Sequence, residues 1–77
     1  MPTPKFKVLD VRLPLARGEE PFTLIRTQVD QLTPGHGLTV VAPFVPAPLI
    51  EMLKGEGFSS TMERRADGAW AVNFWRE

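Results

Sequence analysis

Residues 9–24, LDVRLPLARGEEPFTL, carry the pattern that decides the fold. The stretch begins with the end of an apolar strand and continues through a loop, Arg12 to Gly18. A helix is predicted to begin at Glu19-Glu20, because Pro21 suits a first helical turn and acidic residues favour the positive end of the helix dipole. The order strand, loop and helix predicts the opening of a strand–helix–strand unit.

Outward from this stretch, hydrophobic periodicity and turn residues predict four strands and two helices in the order β-α-β-α-β-β. The apolar residues of helix one recur at helical spacing and are expected to form a buried stripe. That stripe comprises Phe22, Ile25, Val29 and Leu32. The second helix follows a proline-rich junction, residues 43–48. The predicted strands are Lys5–Val11, Leu38–Ala42, Phe58–Arg65 and Ala69–Arg76.

The order of the strands in the sheet follows from their composition. Two right-handed parallel crossovers that step the same way across a sheet place both helices on one face. Asp67-Gly68 predicts a tight hairpin, which makes strand four antiparallel to strand three. Strand three is rich in hydroxyl and charged residues and suits an edge, whereas the aromatic strand four suits the interior. We therefore predict an α+β two-layer sandwich with a four-stranded mixed sheet of order 1-2-4-3 and two helices on one face.

Length and composition bound the possible functions. With 77 residues the chain is long enough for one small domain, residues 1–77, and nine basic residues balance nine acidic ones. A neutral chain offers no overall field to attract nucleic acid or anionic lipid. Residues 1–4 are expected to be a frayed lead-in, no secretory leader is visible, and the longest apolar run is too short to span a bilayer. The expectation is a cytoplasmic protein that binds no membrane.

Several short motifs point to one known family. They are LDVR at residues 9–12, Glu20-Pro21, Pro34-Gly35, Pro46-Ala47-Pro48-Leu49 and Gly57-Phe58. In these motifs the chain resembles the TusA/SirA-like sulfur-carrier domains, and more closely the cysteine-less relatives of that group. The resemblance spans nearly the whole chain. It implies the sheet order predicted above, which the family shares with the C-terminal domain of translation initiation factor three.

The resemblance also indicates which chemistry is absent. In the sulfur carriers, a Cys-Pro-x-Pro motif places a cysteine at the mouth of helix one, where the helix N-terminus stabilises a thiolate. The corresponding residues here are Gly18-Glu19-Glu20-Pro21, so the second proline is present and the cysteine is missing. Because the sequence contains no cysteine, it offers no thiol to carry sulfur and no cysteine ligand for a metal. We expect a protein that is not an enzyme, with no catalytic residue, metal or cofactor.

The mouth of helix one is the first candidate for contact with a partner protein. Its charged residues are Arg12, Arg17, Glu19 and Glu20. These residues either only shape and cap the helix or also contact a partner.

The junction before helix two is the second candidate. Its three prolines remove backbone donors, so a phosphate site is not expected there. The cysteine-less relatives often carry a His-Asp pair just before the Pro-x-Pro-Leu segment. Phe44 and Val45 stand at those positions, so no role of that pair is carried over. Phe44, Val45 and Pro46 form either a stiff turn or an apolar docking patch beside the helix-one mouth.

Trp75 is the third candidate. It is expected on the sheet face that the helices leave bare, because alternate residues of strand four point toward the helices. Large aromatic residues on such a face are enriched at interfaces, and Lys7 or Val11 of strand one and Val41 of strand two could share it. Trp75 either contacts a partner or covers the sheet edge of a monomer.

Two further features are each better explained as ordinary solvated surface than as a binding site. Arg64, Arg65 and Arg76 with Trp75 form a corner that could bind single-stranded nucleic acid, but neighbouring acidic residues cancel much of its charge. A solvated sheet edge is the alternative. His36, the only histidine, lies between two glycines and is expected to be a solvated turn residue.

Three functions are therefore compatible with the sequence. The favoured one is a small interaction domain that binds a protein partner or a second copy of itself. The second is an accessory in sulfur or redox metabolism that binds a thiol-carrying partner without carrying sulfur. The third, a weak binder of single-stranded nucleic acid, is the least expected.

Overall fold

The computed structural model describes residues 5–76, so the predicted lead-in, residues 1–4, lies outside the described residues. Strands and helices follow the predicted order, with one additional short helix. None of the helices in this part of the chain is long and apolar enough to cross a membrane. The strands are β1 (Lys5–Asp10), β2 (His36–Ala42), β3 (Phe58–Arg64) and β4 (Trp70–Arg76), and the helices are α1 (Arg12–Ala16), α2 (Pro21–Asp30) and α3 (Ala47–Gly55).

Within residues 5–76 the strands form one mixed sheet in the order β1-β2-β4-β3. β1 and β2 are parallel, and β4 is antiparallel to both β2 and β3. The β3–β4 hairpin turns at Asp67-Gly68, where Gly68 has a positive φ of 87° and the N–H of Arg65 donates to the carbonyl of Ala69 at 2.8 Å. The predicted α+β sandwich, the sheet order and the hairpin are confirmed.

One apolar layer between the sheet and the helices forms the core. The sheet residues of this layer alternate along their strands and therefore share one face, so α2 and α3 pack on that same face. Burial of each large apolar side chain contributes roughly 1.5–3 kcal/mol, and the cluster holds the two layers together. Its members include Leu38, Val40, Val72 and Phe74 from the sheet and Ile25, Val29, Leu49 and Leu53 from the helices.

The segment from Arg12 to Gly18, predicted as a loop, contains the helix α1. Pro14 is compatible with this helix because it lies in the first turn, where its missing N–H would have no intrahelical acceptor. The carbonyl of Val11 accepts the N–H of Leu15 at 3.0 Å, and Leu15 packs against the core. The described part of the sandwich therefore has a third helix in addition to the two predicted.

The buried stripe of α2 is shorter than predicted. Ile25 and Val29 are buried and Leu32 is partly buried, but Phe22 is 44% exposed. Phe22 belongs to the first turn of α2, directly after the N-cap residue Glu20 and the helical Pro21. At this end of the helical layer its ring lines a surface groove and does not enter the core.

Candidate functional site

An apolar groove of about 200 Å³ opens at the end of the helical layer where β2 ends and α2 begins. Its walls come from α1, the first turn of α2 and the junction between β2 and α3. Its floor belongs to the core. We define the apolar groove by its wall residues Leu15, Pro21, Phe22, Phe44 and Pro46 and its floor residues Val11, Ile25, Val40 and Leu49.

The β2–α3 junction gives the groove its most exposed wall. Phe44, which lines the groove, is 51% exposed, and the neighbouring Val45, 36% exposed, lies outside the groove lining. Pro46 is the N-cap residue of α3, and Pro48 lies in the first turn of that helix, so this helix start has fewer free N–H groups than usual. The predicted docking-patch residues Phe44 and Pro46 therefore line an apolar surface at a helix N-terminus, a place where anions often bind.

Glu20 caps the helix that forms the opposite wall. Its carboxylate accepts the backbone N–H groups of Phe22 and Thr23 and, at 2.7 Å, the hydroxyl of Thr23. The hydrogen bond from the Thr23 hydroxyl, with those from the two N–H groups, holds the pKa of Glu20 below its ordinary value. Glu20 therefore stabilises the mouth of α2, which is the first of the two roles predicted for it.

Gly18 shapes the loop that leads into this mouth. Its φ is +78°, in the left-handed region that residues with a side chain rarely adopt, although an added Cβ would contact nothing within 4 Å. The residue before the mouth of α2 is therefore held in a backbone conformation that suits glycine.

Arg12 pairs with two carboxylates of the same chain, and its predicted contact with a partner stays a prediction. Its guanidinium donates to the carboxylates of Asp10 at 2.6 Å and Asp67 at 2.8 Å. The hydrogen bond from Arg12 is the main reason that the pKa of Asp10 lies below its ordinary value. Arg12 thus links the end of β1 to the β3–β4 hairpin.

The remaining charged candidates lie on the surface near the groove. Arg17 and Glu19 flank Gly18 and are both exposed. Among residues 5–76, neither side chain takes part in a hydrogen bond or an ion pair. Their contact with a partner stays a prediction.

Trp75 lies on the sheet face opposite the helices, as the alternation of β4 predicts. Its ring packs edge to face against Phe6, with centroids 6.1 Å apart and an interplanar angle of 89°. Phe6 covers Gly37, because a Cβ at that position would approach the Phe6 ring to 2.4 Å. Trp75 is only partly buried, and its contact with a partner stays a prediction.

The neighbours predicted for Trp75 on this open face were partly wrong. Lys7 pairs with the buried Leu38 and so points to the helix side, and Val11 follows β1 and is buried in the core. The open face instead carries Phe6 and Val8 from β1. Apolar residues of β1 occur on both faces, so the sequence of this strand alone could not show which of them share a face with Trp75. The signal that could have shown it is Gly37, because only a residue without a side chain leaves room for the Phe6 ring.

The open face is polar at its centre. The hydroxyl of Thr39 donates to Oδ1 of Asn73 at 2.6 Å, and Nδ2 of Asn73 donates to the hydroxyl of Thr61 at 3.2 Å. These three residues are opposite one another on β2, β4 and β3. Much of the hydrogen-bonding capacity of this face is therefore used within the chain.

The basic corner predicted to bind nucleic acid is not assembled as one surface. Arg64 lies over Trp70 at 5.6 Å and Arg76 over Phe58 at 4.4 Å, so both guanidinium groups stack on aromatic rings of this chain. Arg76 and Trp75 are consecutive in β4 and point to opposite faces. Arg65 lies 3.6 Å from the carboxylate of Asp67.

The described lining of the apolar groove contains only apolar residues. No titratable side chain of the described residues lines it. Within residues 5–76 there is also no group of three or more His, Cys, Asp or Glu side chains that could hold a metal ion. The arrangement can bury apolar surface, but it offers no acid, base or nucleophile at the groove.

Comparison with known proteins gives one match. The model of a family described as "Uncharacterized conserved protein (DUF2249)" matches residues 8–76. No curated protein and no solved structure matches the chain. The matched region includes the apolar groove and all of β2, α3, β3 and β4. The chain therefore belongs to the DUF2249 family of conserved proteins.

Proposed function

We propose that this chain is a non-catalytic protein-interaction domain whose apolar groove receives a bulky apolar side chain from a segment of a partner protein. The observation that carries the proposal is the groove itself. It is open to solvent, its walls and floor are apolar, and Phe44 and Phe22 at its rim are about half exposed. Exposed contiguous apolar surface of this kind marks interaction sites.

The size of the groove favours a protein segment over a small molecule. Sites for small molecules usually occupy roughly 300–1,000 Å³ and place a few polar groups to orient the ligand. The apolar groove has about 200 Å³, and among the described residues only apolar side chains line it. It therefore suits one large apolar side chain, which the rest of the partner segment would hold in place.

The charges around the groove favour a partner segment that is itself close to neutral. Arg17 and Glu19 stand near the mouth of α2 with opposite charges, and Glu20 is engaged in the helix cap. The groove therefore lies within a surface of mixed charge, and burial of apolar area supplies the affinity.

Crosslinking from the groove tests this proposal. A photoreactive phenylalanine analogue replaces Phe44 in the full chain, and a matched control carries it at Met62, which is 49% exposed on the edge strand β3. The partner crosslinked from position 44 is identified and purified. Its Kd is then measured for the natural chain, Phe44→Ala and Met62→Ala.

We expect a partner that is crosslinked from position 44 and not from position 62. Phe44→Ala should weaken its binding by about thirtyfold, the loss typical of a buried aromatic anchor, while Met62→Ala leaves the Kd unchanged. Equal crosslinking from both positions, or a Kd that Phe44→Ala does not alter, would contradict the proposal. Melting temperatures of both variants check that each is folded.

The identity of that partner also decides between the two protein-binding hypotheses. The resemblance to sulfur carriers and the position of the groove at the mouth of α2 support an accessory in sulfur or redox metabolism. Recovery of a cysteine-bearing sulfurtransferase from position 44 would favour that accessory role. Recovery of a second copy of this chain would favour self-association.

A further inference from the structure

A second pocket lies at the opposite end of the helical layer, where α2 ends and β2 begins. Its volume is about 280 Å³. Unlike the apolar groove, it combines apolar side chains with basic ones. We name it the Arg76 pocket and define it by Val29, Leu32, Thr33, His36, Phe58 and Arg76.

The guanidinium of Arg76 is held in place by two contacts. It lies over the ring of Phe58 at 4.4 Å, and its Nη2 donates to the backbone carbonyl of Glu56 at 3.1 Å. A guanidinium carries five N–H donors, so this hydrogen bond leaves donors for a ligand. Among residues 5–76, no carboxylate lies within ion-pair distance of Arg76.

His36 supplies the second polar side chain of the pocket. Nδ1 of its ring lies 2.8 Å from the hydroxyl of Thr33, which fixes the orientation of the imidazole. His36 directly precedes Gly37, which pairs with Trp75, the residue before Arg76. The sheet register therefore places His36 and Arg76 side by side at one end of the sheet.

We propose that the Arg76 pocket binds a small organic carboxylate. The carboxylate would accept hydrogen bonds from Arg76, whose planar fork matches a carboxylate, and from the free nitrogen of His36. Val29, Leu32 and the ring of Phe58 would contact the apolar body of the ligand. The volume of about 280 Å³ lies just below the usual range for small-molecule sites and restricts the ligand to a compact molecule, but this pocket, unlike the apolar groove, has polar groups that can orient it.

The surrounding charges favour a ligand with one negative charge over a dianion such as phosphate. α2 ends next to this pocket, and the C-terminus of a helix carries partial negative charge. Glu56 lies close enough to Arg76 for their charges to interact, although its carboxylate pairs with Arg26. Each additional negative charge on the ligand would meet this unfavourable field.

Titration with benzoate, followed in the amide NMR spectrum of the full chain, tests the proposal. Benzamide, which has the same shape and no charge, and inorganic phosphate are titrated separately. The variants are Arg76→Gln, His36→Gln and, as the matched control, Arg64→Gln. Arg64 also stacks on an aromatic ring of the same chain but lies outside the pocket.

Benzoate should give saturable shifts confined to residues of the Arg76 pocket, with a Kd in the millimolar range or below. Arg76→Gln should weaken this binding by about tenfold or more, His36→Gln by a smaller factor, and Arg64→Gln not at all. Benzamide and phosphate should bind more weakly than benzoate. Absence of saturable shifts, equal binding of benzamide, or benzoate shifts that persist unchanged in folded Arg76→Gln would overturn the proposal.

Discussion

The two ends of the helical layer carry opposite chemistry on the same scaffold. At the end where α2 and α3 begin, the helix N-termini would attract anions, yet prolines and aromatic rings make an apolar groove there. At the end where α2 finishes, the helix terminus would repel anions, yet Arg76 and His36 line a pocket. At each end the side chains therefore give the surface a character opposite to that of the neighbouring helix termini.

The largest expected effect is a difference in stability between a substitution in the floor of the apolar groove and one in its wall. Leu49 lines the groove but is only 1% exposed and belongs to the core, whereas Phe44 is 51% exposed. Leu49→Ala should lower the free energy of unfolding by about 2–5 kcal/mol, because it leaves a cavity. Phe44→Ala should lower it by about 1 kcal/mol or less. Urea unfolding of both variants measures the difference.

A loss of stability of similar size in the two variants would contradict this separation. It would mean that the Phe44 ring contributes to the core, so that any effect of Phe44→Ala on partner binding would follow from unfolding. Leu53→Ala, a core substitution in the same helix that does not line the groove, is the matched control and should behave like Leu49→Ala.

Alanine substitution of two glycines is expected to change the free energy of unfolding by a smaller amount, with opposite signs at the two ends of the helical layer. Gly18, before the apolar groove, has a φ of +78°, whereas Gly55, the last residue of α3, lies in a helix. Neither glycine has an atom within 4 Å of an added Cβ, so the comparison isolates the backbone. Gly18→Ala should destabilise the fold by about 1–2 kcal/mol and Gly55→Ala should stabilise it by about 0.5–1 kcal/mol.

Thermal unfolding of the two glycine variants provides the measurement. A Gly18→Ala variant as stable as the natural chain would mean that the loop before α2 relaxes to a conformation open to other residues. In that case a residue with a side chain could occupy position 18 without strain.

The sheet could be predicted because its signals are local. The hairpin residues Asp67-Gly68, the charged edge strand β3 and the aromatic strand β4 each determine one feature of the topology. The partner-binding candidates Phe44 and Pro46 could be predicted to lie near the mouth of α2 because both helix starts follow parallel strands, whose carboxyl ends meet at one edge.

Features that depend on register or on distant contacts could not be predicted. α1 has five residues and contains Pro14, so it is too short to show a helical period, and its proline indicates a breaker. The sequence presents Arg12 as an exposed charge, but its ion pair with Asp67 joins residues 55 positions apart. The Arg76 pocket likewise combines residues from α2 to the end of β4, and only the folded sheet brings them together.

The smallest effect is expected from the titration of Glu20, which caps α2 at the rim of the apolar groove and is exposed to solvent. Its hydrogen bonds lower its pKa in the folded state, so in the acid range the unfolded chain binds more protons at this group than the folded chain. The stabilising contribution is therefore present above the ordinary pKa of glutamate and is lost as the pH falls through the lower pKa of the folded protein.

Glu20→Gln keeps an acceptor for the cap but removes this titration. Urea midpoints measured from neutral to acid pH should fall less steeply for Glu20→Gln than for the natural chain. Glu19→Gln is the matched control for the loss of one negative charge at the mouth of α2, because among residues 5–76 the Glu19 side chain accepts no hydrogen bond, and its midpoints should fall more steeply than those of Glu20→Gln. If Glu20→Gln and Glu19→Gln give the same profile, the carboxylate of Glu20 is dispensable for the cap. The exposed N–H groups at the mouth of α2 would then donate hydrogen bonds to water, and the rim of the groove would be more hydrated than the structure indicates.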